Sequence, residues 1–353
     1  MFRDVRSVRP ATALRIDGNL NLTEPRYWEP DPHADAAETS AQAAERLHEQ
    51  LLRSVRLRLR ADVPVGSYVS GGLDSSVLST YAKQEVGPAL ETFGIRFADP
   101  RYDETAEQHE VARHLGARHH EILCDGDAIR GALADVVWHC EAPLLRTAPI
   151  PMFLLSRLVR DSGTKTVLSG EGADELFAGY TIFKEDQIRR FAARQAASPV
   201  RPALLNRIHH YVGDARVRAT PFWQDFFRRN VADAAHPFYS HLIRWQNNAW
   251  TLRLLTPDVQ RAADLPTTME RLESSMPTGW QSWDSLLRAQ VIEIHSFLSS
   301  YLLSSQGDRV AMAHGVEVRY PFLDPEVIDF AMTLPRRHKL LGLRDKIVLR
   351  RLA

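Results

Sequence analysis

Two short strings in this chain combine glycines, hydroxyls and carboxylates in a way that suits phosphate chemistry. The first is Val69-Ser70-Gly71-Gly72-Leu73-Asp74-Ser75-Ser76, between an apolar run and a helical one. Small residues let a ligand approach the backbone, and successive N–H groups at a helix N-terminus form an anion nest. The serine hydroxyls add donors. Asp74 would repel phosphate directly, so its sensible role is to hold Mg²⁺ beside one. The string lacks the Gly-Lys-Ser/Thr ending of a Walker loop and the Gly-x-Gly-x-x-Gly of dinucleotide folds. The bland alternative is an ordinary strand–turn–helix junction.

The second string is Leu168-Ser169-Gly170-Glu171-Gly172-Ala173-Asp174-Glu175-Leu176-Phe177-Ala178-Gly179-Tyr180. Its crowded carboxylates are costly unless a cation or ionised partners compensate. Asp174 could share a metal with Asp74. Glu171, between two glycines, is expected to face a site rather than the core. An acidic helix N-terminus, favoured by the macrodipole, is the simpler reading. A third stretch runs from Gly307-Asp308-Arg309 to Val316-Glu317-Val318-Arg319-Tyr320-Pro321-Phe322-Leu323-Asp324 and embeds charges among apolar residues. Buried charges need partners. Asp308 and Arg309, or Glu317 and Arg319, could be structural ion pairs or could bind a zwitterionic substrate; both readings stay open. Lys346 reads by itself as a surface helix residue.

The elements that must carry these strings alternate. Ala44, Leu47, Leu51, Val55 and Leu59 predict an amphipathic helix whose wet side holds Arg53, Arg56 and Arg60. Strands are expected at Val63 to Val69, Glu91 to Phe97, Arg118 to Leu123 and Thr164 to Leu168. Helices are expected at Asp74 to Glu85, Asp103 to Leu115, 127–139 and 149–161. The fold class that follows is α/β, a doubly wound parallel sheet with helices on both faces and a helical C-terminal portion. Ligands on such sheets sit at the carboxyl ends of the strands, where both glycine strings fall. Near the start, Ala13 to Ile16 is strand-like, with a turn at Asp17-Gly18-Asn19.

Composition excludes other classes. Lys+Arg and Asp+Glu are both 44, so no global basic field calls for nucleic acid or an anionic membrane. The Arg-rich run between Lys184 and Arg229 reads as a solvated helical face. The richest apolar run, around Phe297 to Leu303, is too short to span a bilayer. Two cysteines make no disulfide framework, and the first residues carry no signal-peptide stretch, so the expected compartment is the cytoplasm. His119-His120-Glu121 with Cys124, and His139-Cys140, have metal-ligating types without a metal-binding motif. Neighbouring strand residues face opposite ways, so no ligation is expected there. The aromatics Phe222, Trp223, Phe226, Phe227, Phe238, Tyr239 and Trp245 read as core.

Taken together, SGGLDSS, SGEGADELFAGY, DRVAMAHGVEVRYPFLD and KIVLR resemble, in order, the motifs of glutamine-dependent asparagine synthetases of the B type. SGGLDSS resembles the phosphate loop of the ATP-pyrophosphatase superfamily, whose fold is adenine-nucleotide alpha-hydrolase-like. The likeness covers roughly residues 40–353. Residues 1–32 resemble the end of the family's glutaminase domain and a linker, and 33–353 the synthetase domain, short at its C-terminus. The resemblance implies ATP and Mg²⁺ as cofactors, with aspartate and ammonia as partners, or glutamine through a separate glutaminase. It leaves room for a homodimer. It implies ATP contacts at Val69, Ser70, Gly71, Gly72, Asp74, Ser75, Ser76, Ile95, Ser169 and Gly170, and metal ligation by Asp74 and Asp174. Glu171 matches a glutamate linked to the acyl-adenylate and its capture by ammonia, and Lys346 a lysine that steadies charge on that adduct. Met1-Phe2 stands where the family has its glutaminase cysteine, so synthesis is expected to depend on free ammonia or on a separate glutaminase. A β-lactam or macrolactam synthetase and an inactive ATP-binding remnant are the rival expectations.

Overall fold

The computed structural model describes residues 5, 7–32, 38–198, 200–208, 226–227, 229–263 and 265–353. Phe222 and Trp223 lie outside them. The chain divides into two compact units. The first holds residues 5–173, 297–334 and 348–353 as far as they are described; the second holds 174–296 and 335–347.

The first unit opens with a small antiparallel hairpin, β1 (Arg15–Ile16) and β2 (Leu22–Thr23). Asp17 closes its turn by accepting the N–H groups of Asn19 and Asn21 at 2.8 and 2.9 Å. Helix α1 (Ser40–Arg58) starts at a capping box between Thr39 and Gln42 and buries Ala44, Leu47, Leu51 and Val55. The alternating elements follow in order: β3 (Val65–Tyr68), α2 (Leu73–Val86), β4 (Glu91–Phe97), α3 (Thr105–Leu115), β5 (Arg118–Cys124), α4 (Gly126–Cys140), α5 (Pro149–Asp161) and β6 (Thr166–Leu168). Gly116 takes a left-handed conformation and stops α3.

The sheet order is β5-β4-β3-β6-β7, all parallel, with β7 at Glu317–Arg319. The chain winds outward from β3 to β5, then crosses back so that β6 pairs with the other side of β3. Strand β7 was not expected from the sequence. It is only three residues long, and Val318 is flanked by charges, so no apolar run announces it. It forms because the β6 backbone offers it an open edge: Thr166 faces Glu317 and Leu168 faces Arg319 in register.

The two faces of the sheet are read off strand alternation. Tyr68, Phe93 and Val167 pack with Leu155 and Val159 of α5. Ser67 points the other way, its Oγ 2.9 Å from Ser79 Oγ on α2. Gly66 is required on the α5 face, since a Cβ there would lie 2.6 Å from the Phe93 ring.

The second unit is helical. It includes α6, whose helix spans Ala173–Phe177, α7 (Thr181–Ala193) and α8 (Tyr239–Asn248). Phe227 packs with Ile188, Leu205, Ile208 and Ile243. Phe238 is buried between the rings of Trp245 and Trp280, at 5.4 and 5.0 Å. Among the described residues no helix is long and apolar enough to cross a membrane.

Phe93 is fully buried on β4, next to the edge strand. Phe93→Ala is expected to remove about 3–5 kcal/mol of stability, measured by urea unfolding of the full chain.

Candidate active site

Because β3 and β6 are neighbours at the point where the strand order reverses, their carboxyl-end loops leave the sheet side by side. In the first unit the two glycine strings touch. A Cβ on Gly170 would stand 3.3 Å from Asp74 Cβ and 3.5 Å from the Ser75 nitrogen.

The first loop is held by its own hydroxyls. Val69 N–H donates to the Phe93 carbonyl at 2.9 Å, which carries the ladder to the loop's edge. Ser75 Oγ accepts from Ser70 N–H at 3.2 Å and lies 3.1 Å from Ser70 Oγ. Ser70 Oγ in turn accepts from Gly72 N–H at 3.2 Å. Ser76 Oγ donates to the Gly72 carbonyl at 2.8 Å. Gly71 has φ +80°, and a Cβ there would lie 2.4 Å from Glu107 Cβ on α3, so only glycine fits. Ser70 and Gly72 are exposed, Ser75 is buried, and Asp74 sits in the first turn of α2. No side chain caps α2, so its N-terminal end stays open to an anion. A hard divalent cation takes oxygen donors. Asp74 supplies a carboxylate of that kind, and the absent side chain at Gly170 keeps the space beside it clear. The residues therefore fit a metal-bound phosphate.

Ile95 is at the carboxyl end of β4, where its carbonyl accepts from Gln108 Nε2 at 2.9 Å. Ser169 N–H donates to Arg319 O at 2.9 Å, which fixes the start of the second loop. Gly172 has φ +95° and would drive a Cβ to 2.3 Å from Leu323 Cδ2. That close fit turns Glu171 toward a narrow pocket with room for about one water. Tyr68, Met152, Gln306 and Tyr320 also line it. The Tyr68 hydroxyl is buried without a hydrogen-bond partner among the described residues, and burial pushes its pKa up. Tyr320 donates to Asp308 Oδ1 at 3.1 Å. Burial, then the Asp308 charge, raises the Tyr320 pKa; burial likewise raises that of Asp308, against the Tyr320 hydrogen bond.

Of the four residues of the third stretch, only Asp308 comes near this pocket, through Tyr320. Arg309 donates to the Cys140 carbonyl. Arg319 pairs with Glu317 at 2.6 Å and donates to the carbonyls of Arg58 and Arg60 at 2.5 and 2.9 Å. Glu317 and Arg319 thus form a structural pair tying β7 to the end of α1. Tyr68 and Tyr320 went unremarked in the sequence reading. Tyr68 had one signal: it directly precedes Val69, and strand alternation sends it to the opposite face.

In the second unit, Lys346 Nζ lies 2.7 Å from Asp174 Oδ1. Lys346 is nearly buried with φ +48°, and its N–H donates to Phe177 O at 3.2 Å. Gly179 makes the pair possible: a Cβ there would lie 1.9 Å from Asp174 Oδ1 and 2.1 Å from Lys346 Cε. One oxygen of Asp174 is taken by the ammonium; the carboxylate remains of the type a hard cation binds. Behind α6, Gln290 Nε2 donates to the carbonyls of Glu175 and Leu176 at 2.5 and 2.8 Å. Lys339 Nζ donates to Gln290 Oε1 at 3.1 Å. Burial, opposed by the Asp284 charge, pulls the Lys339 pKa down to about 7.

A family model described as asparagine synthase matches residues 46–353. The amidase chyE of Penicillium rubens is 27% identical over 99% of this chain and 56% of its own length. Asparagine synthetase (glutamine-hydrolyzing) 1 of Bacillus subtilis is 29% identical over 99% of this chain and 52% of its own. Asparagine synthetase B (glutamine-hydrolyzing) of Escherichia coli is 37% identical over 47% of this chain and 32% of its own. The chain spans about half the length of the first two.

Gly179→Ala is expected to break the Asp174–Lys346 contact and lower turnover by about tenfold or more while the chain stays folded, measured by circular dichroism beside an activity assay. Lys339 gives a pH signature. Between about pH 7 and about pH 10 the unfolded chain holds a proton on this lysine that the folded chain lacks, so this contribution to stability rises with pH. It is least favourable below pH 7. Lys339→Met is expected to flatten that rise, read from urea midpoints of variant and wild type across the window.

Proposed function

The chain belongs to the asparagine synthase family, and on that premise we propose that it activates the side-chain carboxylate of aspartate with ATP and joins it to ammonia. The carboxylate oxygen attacks the α-phosphorus, the bond to the β-phosphate breaks, and pyrophosphate leaves. Ammonia then attacks the acyl carbon of β-aspartyl-AMP, and AMP leaves with the bonding electrons. The products are asparagine, AMP and pyrophosphate.

The observation that carries this reading is the abutment of the two glycine loops at the β3–β6 switch point. The N–H groups at Ser70 to Ser76 bind and orient the departing pyrophosphate at the open end of α2. Asp74 and Asp174 are the residues that would hold Mg²⁺, which when bound draws charge from the leaving group. Val69, Ile95, Ser169 and Gly170 are the proposed nucleotide contacts. Glu171 takes a proton from the incoming nitrogen. Lys346, steadied by Asp174, supplies positive charge to the adduct.

The narrow pocket beside Glu171, with room for about a water-sized molecule, supports ammonia as the nucleophile. A second reading rests on a specific finding. A relative named as an amidase is about as similar to this chain as the Bacillus subtilis synthetase, so amidation of a different carboxylate is the alternative.

The test is pyrophosphate release from Mg·ATP, with and without aspartate and ammonium. Aspartate-dependent release, with asparagine formed only when ammonium is present, is expected. Asp74→Asn should lower release by about 100-fold or more without unfolding the chain. Glu171→Ala should lower amide formation by about 100-fold or more. Release that ignores aspartate but responds to another carboxylic acid would replace aspartate as the substrate.

A further inference from the structure

The outer edge of the sheet carries a cluster that the chemistry above does not use. Strand β5 lies at that edge, and its side chains alternate. His120 turns to the α5 face and stacks on Phe93, with ring centroids 5.0 Å apart. His119 and Glu121, two residues apart, share the opposite face, the face that α3 covers. His109 of α3 comes down over them. Its Nε2 is 2.7 Å from Glu121 Oε2, and its ring stands edge-on to His119 at 5.7 Å. One donor atom from each of His109, His119 and Glu121 lies within 4.8 Å of the other two.

The His119 ring is held from behind. Its Nδ1 is 3.0 Å from Thr92 Oγ1, and that hydroxyl donates its own proton to the Arg118 carbonyl at 3.4 Å. The tautomer in which Nδ1–H donates to Thr92 satisfies both contacts of that hydroxyl and places the lone pair on Nε2. Nε2 is buried and has no hydrogen-bond partner among the described residues. An acceptor stranded in this way is costly unless a ligand meets it. Gly94 makes room for the ring, because a Cβ there would lie 3.0 Å from His119 Cε1. Among the described residues Arg96 also approaches Glu121, at 3.8 Å from Oε1, the oxygen not facing His109.

We propose that His109, His119 and Glu121 form a site for a divalent transition-metal ion of the zinc class, with Thr92 as the residue that orients His119. Two imidazoles and a carboxylate are a zinc donor set that leaves a fourth position for water. Zinc bonds of about 2.0–2.2 Å in tetrahedral geometry need donors about 3.3–3.6 Å apart, within the spread seen here. His109 is half-exposed on α3, so a side-chain adjustment closes the set. Donation from His119 to Thr92 is the outer-shell contact by which ligating histidines are held. The ion would pin α3 to the edge strand. Glu107 and Gln108, the two residues before His109 on α3, lie against Gly71. The proposed site therefore shares a helix with the support of the Ser70 to Ser76 loop, and it stands whether or not aspartate is the substrate.

The test is calorimetric titration of the chelator-treated full chain with Zn²⁺, with Co²⁺ as a spectroscopic probe. One equivalent of Zn²⁺ is expected to bind and to raise the unfolding midpoint, and Co²⁺ to give the visible bands of a tetrahedral ion. His109→Ala, at an exposed position that folding tolerates, and His119→Ala should each weaken binding by about 100-fold or more. Thr92→Val should weaken it by about tenfold. His120→Ala, on the other face of the strand, should leave it unchanged. No uptake by the wild-type chain, or uptake and a midpoint shift that persist unchanged in His109→Ala, would overturn the proposal.

Discussion

The lateral pairing of β3 with β6 is the constraint on which the first unit depends. Both strands are short and buried, and their register sets Ser67 beside Leu168. Each ends one or two residues later in a loop that begins with serine and glycine. Parallel pairing obliges both loops to leave from the same end of the sheet, and adjacency obliges them to leave together. The glycines then follow as a steric requirement. Gly71 cannot carry a Cβ against Glu107, and Gly172 cannot carry one against Leu323. The cost of glycine in the unfolded chain is accepted where a side chain would separate the loops from the elements beneath them.

Charge is handled differently in the two units. In the first, Asp308 accepts the hydroxyl proton of Tyr320, and Glu317 and Arg319 satisfy each other and the end of α1. In the second, Lys346 meets Asp174 inside a space that Gly179 leaves open, and Lys184 meets Asp345 at 2.6 Å. Lys339 donates to Gln290, and burial lowers its pKa. A buried polar group left unpaired is costly, so the chain Lys339–Gln290–α6 carbonyls is a rigid support for the helix that carries Asp174.

The edge strand β5 shows how a periodicity of two distributes functional groups. His119 and Glu121 fall on one face and His120 on the other, so adjacent histidines in sequence have unrelated environments. One stacks on the core ring of Phe93. The other aims a bare nitrogen at a helix, where a third donor waits ten residues earlier in the chain.

Much of this molecule was legible before any coordinates. Period-two and period-3.6 patterning located α1 and β3 to β6 to within a few residues, because those elements bury a continuous apolar face. The glycine loops declared themselves by residue type, since few backbones need SGGLDSS unless a ligand must come close. Strand β7 was invisible because its pairing energy comes from the β6 edge and not from its own three residues. The bonds from Arg319 to the carbonyls of Arg58 and Arg60 join segments distant in sequence. The Asp174–Lys346 contact depends on the empty Cβ position of Gly179, and the His109–His119–Glu121 cluster depends on α3 crossing β5. Local sequence determines which elements form and which chemistry their loops can do. Side-chain proximity between elements is decided by packing, because it depends on registers and crossing positions that no single segment encodes.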